Sequence, residues 1–338
     1  MTDRTAPLAF IAEASDAGQR LDVVVAERLQ RAGQVVSRSA VRQWIDGGRV
    51  LVGGVAGKAS ARIRVGARIQ VEPAPPTPSH ALPDASVSIV VLHQDDHILV
   101  IDKPAGVVVH PAKGHSSGTL VNGLLALACF EPYVMSDDEP EARQRPGIVH
   151  RLDKDTSGVM VVARSVVARE VLKEKFARHD MERVYDAVVV GRAEPATYDT
   201  RFGRHPTNRL RFSTRDVAAS KRAVTHVRVE EVLAGARATR VSCRLETGRT
   251  HQIRVHLSEC GHTPVLGDEL YGGRTRDREI ARIGKQMGRH WLHAAVLGFA
   301  HPVTGEAMRF VAELPGELGT ALRALRDLDL DGRPALPG

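Results

Sequence analysis

The sequence predicts an α+β protein in which a large domain, built on a mixed and largely antiparallel sheet, follows a small α/β module. Three observations support this fold class. The chain has 338 residues, which is long for one core and favours a small unit plus a large one. A proline-rich segment separates two parts of different composition. Beyond that segment, β-like runs outnumber helical ones.

The small module is predicted over residues 16–72. Apolar residues recur at helical spacing through 21–29, which indicates a first amphipathic helix. A second short helix should begin at a serine cap, Ser37 or Ser39, and end at the glycine pair at 47–48. Two short β segments are expected after it, at 49–53 and 61–71.

The small module is also strongly basic. It holds ten Lys or Arg residues against five Asp or Glu, so it carries +5 of the chain's net charge of +7 in about a sixth of the length. Such a charge favours an anionic partner, and nucleic acid is the commonest one. Because nearly all the cations are arginine, a general coding bias is the alternative explanation for the charge.

Residues 73–88 are predicted to form an extended linker. Proline fixes φ and cannot donate to a β-ladder, and this segment contains Pro73, Pro75, Pro76, Pro78 and Pro83. We therefore place the domain boundary here, with the large domain over 89–323. The remaining residues, 324–338, are expected to form a flexible tail.

The large domain shows alternating β-like and helical patterns. Strands are expected at 98–102, 159–163, 184–190, 223–229 and 239–245. Helices are expected near 120–130, 166–179 and 251–260.

Composition excludes several classes of protein. No run of apolar residues reaches the length of about 18 that a membrane-spanning helix needs, and the start lacks a basic segment followed by an apolar run, so we expect a cytoplasmic protein without membrane contact. The three cysteines form no C-x-x-C pair, which argues against a zinc ribbon or a disulfide framework. Histidines 110, 115 and 150 lack metal-ligand spacing, so no metal site is predicted.

Four short segments concentrate polar or conformationally special residues between apolar strands. They are DKPAGVVVHP at 102–111, HRLDKDTSG at 150–158, TGRTHQIRVH at 247–256 and LHAAVLGFAHP at 292–302. In the second segment Asp153 precedes a predicted strand, and loops of this kind often present catalytic groups. The alternative is that the polar residues at 153–157 only build a turn by bonding their own backbone.

The third segment places a cation where the helix dipole does not favour one. Thr250 is a suitable cap for a helix whose residues Ile253 and Leu257 face the core, so Arg254 lies in its first turn. An arginine in that position suggests an anionic partner, either a phosphate or a carboxylate. A solvated surface arginine is the alternative.

These motifs, together with ERVYDAVVVG at 182–191, resemble in order and separation those of the RluA-type family of pseudouridine synthases, especially its ribosomal large-subunit (RluD-like) branch. The strings RLDVVVAERL and SRSAVRQWIDGGRVLVGG of the small module resemble an S4 RNA-binding domain. The resemblance covers residues 16–320. It implies a pseudouridine synthase catalytic domain that isomerises uridine in structured RNA, most simply 23S-type ribosomal RNA or ribosome precursors.

The resemblance also implies roles for individual residues. Asp153 matches the catalytic aspartate, Arg254 the basic residue that pairs with it, and Tyr185 the aromatic that stacks on the target base. Arg151 matches an arginine that fills the gap left by the extruded uridine. Further RNA contacts are expected at His251, Gln252, Lys103, Arg38 and Arg42.

The chemistry agrees with these assignments. Uridine and pseudouridine have the same composition, so the reaction requires no redox cofactor, phosphate donor or metal. An arginine keeps a buried carboxylate ionised. Base extrusion costs a few kcal/mol, which stacking on Tyr185 would offset; a tyrosine that only fills the core is the alternative. The residues leave three routes open for Asp153: attack at C1′, attack at C6, or assistance to elimination from the sugar.

Two other functions remain open at this point. A non-catalytic RNA-binding factor would keep the small module but would not need both Asp153 and Arg254. A hydrolytic N-glycosidase would also place a carboxylate near C1′, although glycosidases usually use two carboxylates, and Asp155 is poorly placed to serve as the second. We expect a monomer.

Overall fold

The computed structural model describes residues 7–32, 38–73, 82–110, 117–130, 147–215, 217, 220–272 and 275–330. The chain divides into two compact units, Met1–Ser79 and His80–Gly338. Each unit has its own hydrophobic core.

The first unit contains a four-stranded antiparallel sheet of order β1-β4-β2-β3 and two helices. Its elements are β1 Leu8–Ile11, α1 Leu21–Arg31, α2 Arg38–Asp46, β2 Val50–Val52, β3 Val55–Ala56 and β4 Arg68–Val71. The apolar stripe of α1 is fully buried, as its spacing predicts. After α2 the backbone of Gly48 adopts φ 72°, a left-handed conformation that favours glycine and ends the helix. Of the two expected serine caps, Ser39 lies inside α2 and so does not precede the helix, and Ser37 lies outside the described residues.

The first strand was not expected from the sequence. β1 has only four residues and alternates partly buried with exposed positions, so its pattern is short. It is held by pairing with β4, in which Phe10 lies opposite Ile69. The unit therefore begins before residue 16.

The second unit is built on a ten-stranded mixed sheet of order β10-β9-β11-β12-β8-β13-β7-β6-β5, with β14 paired to β13. Among the described residues, every strand pair of this sheet is antiparallel except β13 with β7, which confirms the predicted fold class. The strands are β5 Val90–Gln94, β6 Ile98–Lys103, β7 Ser157–Ala163, β8 Glu182–Val190, β9 Ala196–Arg204, β10 Phe212–Ser213, β11 Lys221–Leu233, β12 Ala238–Leu245, β13 Leu292–Ala300 and β14 Ala307–Val311.

The helices of this unit are α3 Leu120–Ala126, α4 Val166–Arg178, α5 Gln252–Val255, α6 Arg278–Met287 and α7 Gly316–Leu330. A π-helical turn, His256–Cys260, continues α5. Local chemistry explains the bounds of α4: the Ser165 hydroxyl accepts from the Ala168 amide at its start, and His179 ends it at φ 62°.

Strand β7 lies at the centre of the unit and is buried on both faces. Val159 and Val161 pack in one core cluster with α4, and Met160 and Val162 pack in another with α3. At its start Gly158, at φ 120°, lies so close to the backbone of Ala294 in β13 that a side chain would collide with it. These contacts fix the strand that follows Asp153.

The C-terminal region differs from the expected flexible tail at 324–338. Helix α7 continues to Leu330, because Leu318, Leu322 and Leu325 form a buried stripe at helical spacing. Residues 331–338 lie outside the described part of the chain. Helices α6 and α7 were both missing from the sequence prediction.

Within the described residues, no helix is long and apolar enough to cross a membrane. The three cysteines are free thiols, and Cys243 is buried. The described part of the chain contains no group of three or more His, Cys, Asp or Glu residues that could hold a metal ion.

Candidate active site

A cleft of about 470 Å³ in the second unit is lined by the loop before β7, by strand β8 and by the start of α5. This volume lies in the range of small-molecule sites and suits a nucleotide. Six residues singled out from the sequence line it together: Arg151, Asp153, Tyr185, His251, Gln252 and Arg254.

Asp153 and Arg254 are in direct contact although 101 positions separate them in the chain. Nη1 of Arg254 donates to Oδ2 of Asp153 over 3.0 Å, and the two side chains are only 9% and 15% exposed. His251 lies on the other carboxylate oxygen, with its Nε2 atom 3.9 Å from Oδ1. The predicted first-turn arginine therefore has a carboxylate as its partner.

A second carboxylate, Asp268, holds the same arginine. Nε of Arg254 donates to Oδ2 of Asp268 over 2.7 Å, and Nη2 donates to Oδ1 over 2.8 Å. The Asp268 side chain is fully buried and also accepts from the backbone amides of Leu270 and Tyr271. Sequence reasoning missed Asp268; its only signal was a position beside Gly267 after an apolar run.

The charges of this cluster stabilise one another. Burial would raise the pKa of Asp153, but His251 and Arg254 outweigh it and hold that pKa below its ordinary value. Burial would lower the pKa of Arg254, yet its hydrogen bonds and charge interactions with Asp268 and Asp153 raise it instead. Asp153 is therefore an ionised carboxylate at neutral pH in a site largely shielded from water.

Helix α5 begins differently from the sequence prediction. The residue before it is His251 at φ 60°, and no side chain caps the helix, so the expected Thr250 cap is wrong. The Gln252 side chain organises the turn instead. Its Oε1 accepts from the Thr247 hydroxyl and the Arg249 amide, and its Nε2 donates to the Val224 carbonyl and the Thr225 hydroxyl. Gln252 is buried and fully bonded within the protein, which contradicts its assignment as an RNA contact.

His251 is positioned by Tyr271. The His251 Nδ1 atom lies 2.8 Å from the Tyr271 hydroxyl, which also accepts from the Phe212 amide. This contact turns Nε2 toward Asp153. The guanidinium of Arg254 lies over the Tyr271 ring, 5.1 Å from its centroid, so one tyrosine supports both neighbours of the carboxylate.

Tyr185 lies on β8 and is half-buried at the cleft. Its ring packs against two core clusters, and burial raises the pKa of its phenol to about 12. Among the described residues, the phenol has no hydrogen-bond partner. The ring is thus a neutral aromatic surface within the same cleft as Asp153.

Lys103 does not contact RNA as expected, because it is completely buried. Its Nζ atom donates to the backbone carbonyls of Pro104, Val107 and Lys154 at 2.7–3.0 Å. Burial lowers its pKa to about 7. Because Lys154 follows Asp153 in the chain, the hydrogen bond from Lys103 to the Lys154 carbonyl stabilises the loop that carries the Asp153 carboxylate.

The other end of that loop is fastened by the segment before and into β13. Arg289 donates to the Asp155 carbonyl and to the Ser157 hydroxyl. The hydroxyls of Thr156 and Ser157 bond to His290 and His293, each at 2.9 Å. Both hydroxyls therefore have partners across the fold rather than on their own turn.

The remaining predicted contacts lie in different places. Arg151 is exposed at the cleft. Arg42 is exposed on α2 of the first unit, and the side chain of Arg38 lies outside the described residues. Both residues belong to the first unit, whereas the cleft lies in the second.

Comparison with known proteins gives a consistent result. Residues 97–259 match a family described as RNA pseudouridylate synthase, and residues 19–69 match the S4 domain. The chain is 43% identical over 320 residues to ribosomal large subunit pseudouridine synthase D of Xanthomonas campestris pv. campestris, covering 93% of this chain and 91% of that one. It is 41% identical over 293 residues to the uncharacterized RNA pseudouridine synthase YlyB of Bacillus subtilis, covering 86% and 90%.

A solved structure, human RNA pseudouridylate synthase domain containing 4, is also similar. It aligns with a TM-score of 0.53 and 26% identity, covering 70% of this chain and 93% of the human one.

Proposed function

The chain belongs to the RNA pseudouridylate synthase family, and from this premise we propose that it isomerises uridines of large-subunit ribosomal RNA with Asp153 as its catalytic carboxylate. One observation carries the proposal: Asp153 lies ionised in a nucleotide-sized cleft, in contact with Arg254. The choice of RNA is supported by the names of the relatives and by the S4 match in the basic first unit.

The reaction balances without any added reagent. The bond between N1 of uracil and C1′ breaks, the ring turns, and C5 bonds to the same C1′. C5 loses a proton and N1 gains one, so substrate and product are isomers. We therefore propose that no cofactor takes part, and that the residues of the cleft supply the whole chemistry.

Each neighbour of Asp153 suits one part of this reaction. Arg254 keeps the carboxylate charged in a site largely shielded from water and orients it toward the substrate. The ring of Tyr185 offers a stacking surface, which is worth about 1–3 kcal/mol per base and offsets the cost of extruding the uridine. Exposed Arg151 at the cleft is suited to occupy the space that the base leaves.

The direct test is a map of pseudouridine in large-subunit ribosomal RNA from source cells with and without this gene. We expect specific pseudouridines to disappear on deletion, to return with the wild-type gene, and to stay absent with Asp153→Asn. An unchanged map would overturn the choice of RNA.

A second experiment tests the chemistry with purified protein and ribosomal RNA. We expect pseudouridine to form after dialysis against a chelator and without any added cofactor. Release of free uracil would instead identify a hydrolytic N-glycosidase, and a need for an added cofactor would contradict the proposal.

A further inference from the structure

Another arginine of the cleft, Arg183, has no carboxylate partner among the described residues. It lies on β8 two residues before Tyr185, so both side chains project from the same face of the strand and line the same cleft. Arg183 is 7% exposed. Within the described part of the chain, no carboxylate pairs with it: Nη2 donates to the backbone carbonyl of Glu246, and Nε is buried without a hydrogen-bond partner.

Leaving a buried cation unpaired is costly, and the surroundings of Arg183 offset little of the cost. The guanidinium lies 5.6 Å from the centre of the Phe176 ring, a cation–π contact. His150 contacts the same phenylalanine. Its ring stacks on Phe176, and its Nε2 atom accepts a hydrogen bond from the Val161 amide. Burial lowers the pKa of His150 to about 3, so the ring is neutral and brings no compensating charge.

A neighbouring arginine adds positive charge to this part of the cleft. Arg249 lines the cleft from the turn before α5, and its Nε donates to the backbone carbonyl of Arg222. In the regions that the structure covers, Arg249 has no carboxylate partner either. Gly248 leaves room for the Arg183 guanidinium, since a Cβ there would lie 2.9 Å from Nη1 of Arg183.

The cleft therefore combines two regions of different charge. In the first, the charge of Arg254 is balanced by Asp153 and Asp268, so this buried arginine is not available to a further anion. In the second, neither Arg183 nor Arg249 pairs with a carboxylate among the described residues, and Nε of Arg183 has no hydrogen-bond partner. Guanidinium donors match the oxygens of a phosphate, and they lose less on leaving water than an ammonium does.

We propose that Arg183 and Arg249 bind an RNA phosphodiester adjacent to the target uridine. The inference rests on the proposed function and deepens it by adding a subsite for the backbone. Residues two apart on a strand are separated by about 7 Å. That spacing lets a nucleotide stack its base on Tyr185 while its phosphate reaches Arg183.

The first test measures binding, which needs neither turnover nor a known target. The probes are uridine and its 3′- and 5′-(methyl phosphate) diesters, which carry the single charge of an RNA linkage, titrated by NMR into the full-length protein. We expect one diester to bind at least about tenfold more tightly than uridine. Equal affinity for all three probes would overturn the subsite.

Variants separate phosphate binding from structural support. Arg183→Gln should remove the advantage of the diester and leave uridine affinity within about twofold, while Arg183→Lys keeps part of the advantage. Gly248→Ala, which displaces the Arg183 guanidinium without removing its charge, should also reduce it. The matched control is Arg326→Gln, an exposed arginine that pairs with Glu231 outside the cleft. Equal weakening of all three probes in Arg183→Gln would show a purely structural role and overturn the proposal.

The second test uses RNA and is separable from the proposed function. A single neutral methylphosphonate is placed on either side of the mapped uridine, and KM is measured for wild type and Arg183→Lys. We expect the neutral linkage to raise KM clearly in wild type and much less in the variant, because the two changes remove the same contact. If the enzyme is active but the methylphosphonate linkage and Arg183→Lys each raise KM independently of the other, the phosphate subsite is overturned and the proposed function is not. A diester advantage in a protein that forms no pseudouridine would keep the subsite and overturn the proposed function.

Discussion

Both carboxylate oxygens of Asp268 accept hydrogen bonds from Arg254, through Nε and Nη2, so that only the Nη1 atom of this arginine donates to Asp153. An amide at 268 has one acceptor in place of two and no charge, so Asp268→Asn should let the guanidinium move. We expect kcat to fall by roughly 10- to 100-fold with a small change in KM, because positioning rather than RNA binding is lost. The measurement is steady-state turnover on ribosomal RNA. Asp199→Asn, which removes a carboxylate from the exposed ion pair with Arg222, is the matched control and should leave kcat unchanged.

The stability that the Asp268 carboxylate gives the wild type over this variant should depend on pH in a defined direction. Burial would raise the pKa of Asp268, but Arg254 outweighs it and holds the pKa below the ordinary 3.8. The unfolded chain thus takes up this proton at a higher pH than the folded protein does. The stabilisation is complete above about pH 5 and is lost as the pH falls through 3.8 toward the folded-state pKa.

Urea unfolding from pH 3 to pH 7 tests this sign. Wild type should be more stable than Asp268→Asn by roughly 3 kcal/mol near neutrality, since the change leaves part of a buried ion pair unmatched. The difference in the free energy of unfolding between the two proteins should become smaller below about pH 4. A gap that stays constant across the range would show that Asp268 is not ionised in the folded protein.

Replacing the carboxylate of Asp153 should separate chemistry from binding. Asp153→Asn is almost isosteric, and we expect turnover to fall by at least about 1,000-fold. RNA affinity should remain within several-fold, because it comes mainly from phosphate contacts. Turnover is measured as tritium released from C5-labelled RNA, and affinity by filter binding. Asp155→Asn makes the same change two residues on; if it lost as much activity, Asp153 would have no special role.

The role of Tyr185 can be divided between its ring and its hydroxyl. The phenol has no hydrogen-bond partner among the described residues, so Tyr185→Phe should keep most of the turnover. Tyr185→Leu removes the aromatic face and should cost about 1–3 kcal/mol of stacking, which corresponds to roughly 5- to 160-fold in kcat/KM. Equal losses in both variants would assign proton transfer to the phenol instead.

The first unit should bind RNA mainly through its positive charge. A chain that begins at Leu82 keeps the hydrogen bonds that join residues 82 and 84 to Asn122, and it retains the clusters of the second unit. Without the +5 charge of 16–72, it should need more RNA to saturate, and its binding should weaken less steeply as salt rises. The measurement is affinity at several salt concentrations for both chains. Identical salt dependence would show that the S4 domain does not bind this RNA.

The sequence predicts part of this site well and part of it poorly, for physical reasons. The pairing of Asp153 with Arg254 followed from the family resemblance, and the position of a cation in a first turn pointed to an anionic partner. Lys103 and Gln252 were assigned wrongly, because a polar side chain in a loop motif can satisfy buried backbone as readily as a ligand. Asp268 was missed because the partner of a buried arginine depends on which loops meet in space.

The prediction of the fold was likewise correct for some elements and wrong for others. The short helix around Arg254 was located correctly, since Ile253 and Leu257 are buried as their spacing predicts. Its start was wrong, because a left-handed His251 has no signature in a sequence without glycine there. The apolar stripe of α7 was overlooked beside the proline and glycine that follow it at 332–334.

The position of β13 between β7 and β8 constrains how the protein acquires activity during synthesis. The strand that follows Asp153 and the strand that carries Tyr185 become neighbours only through β13, which is made more than 100 residues after the latter. Pairing over such a distance along the chain is slow to form. A nascent polypeptide that stops short of Leu292 therefore has every other cleft residue but no assembled cleft, and the enzyme can begin work only after β13 has been synthesised.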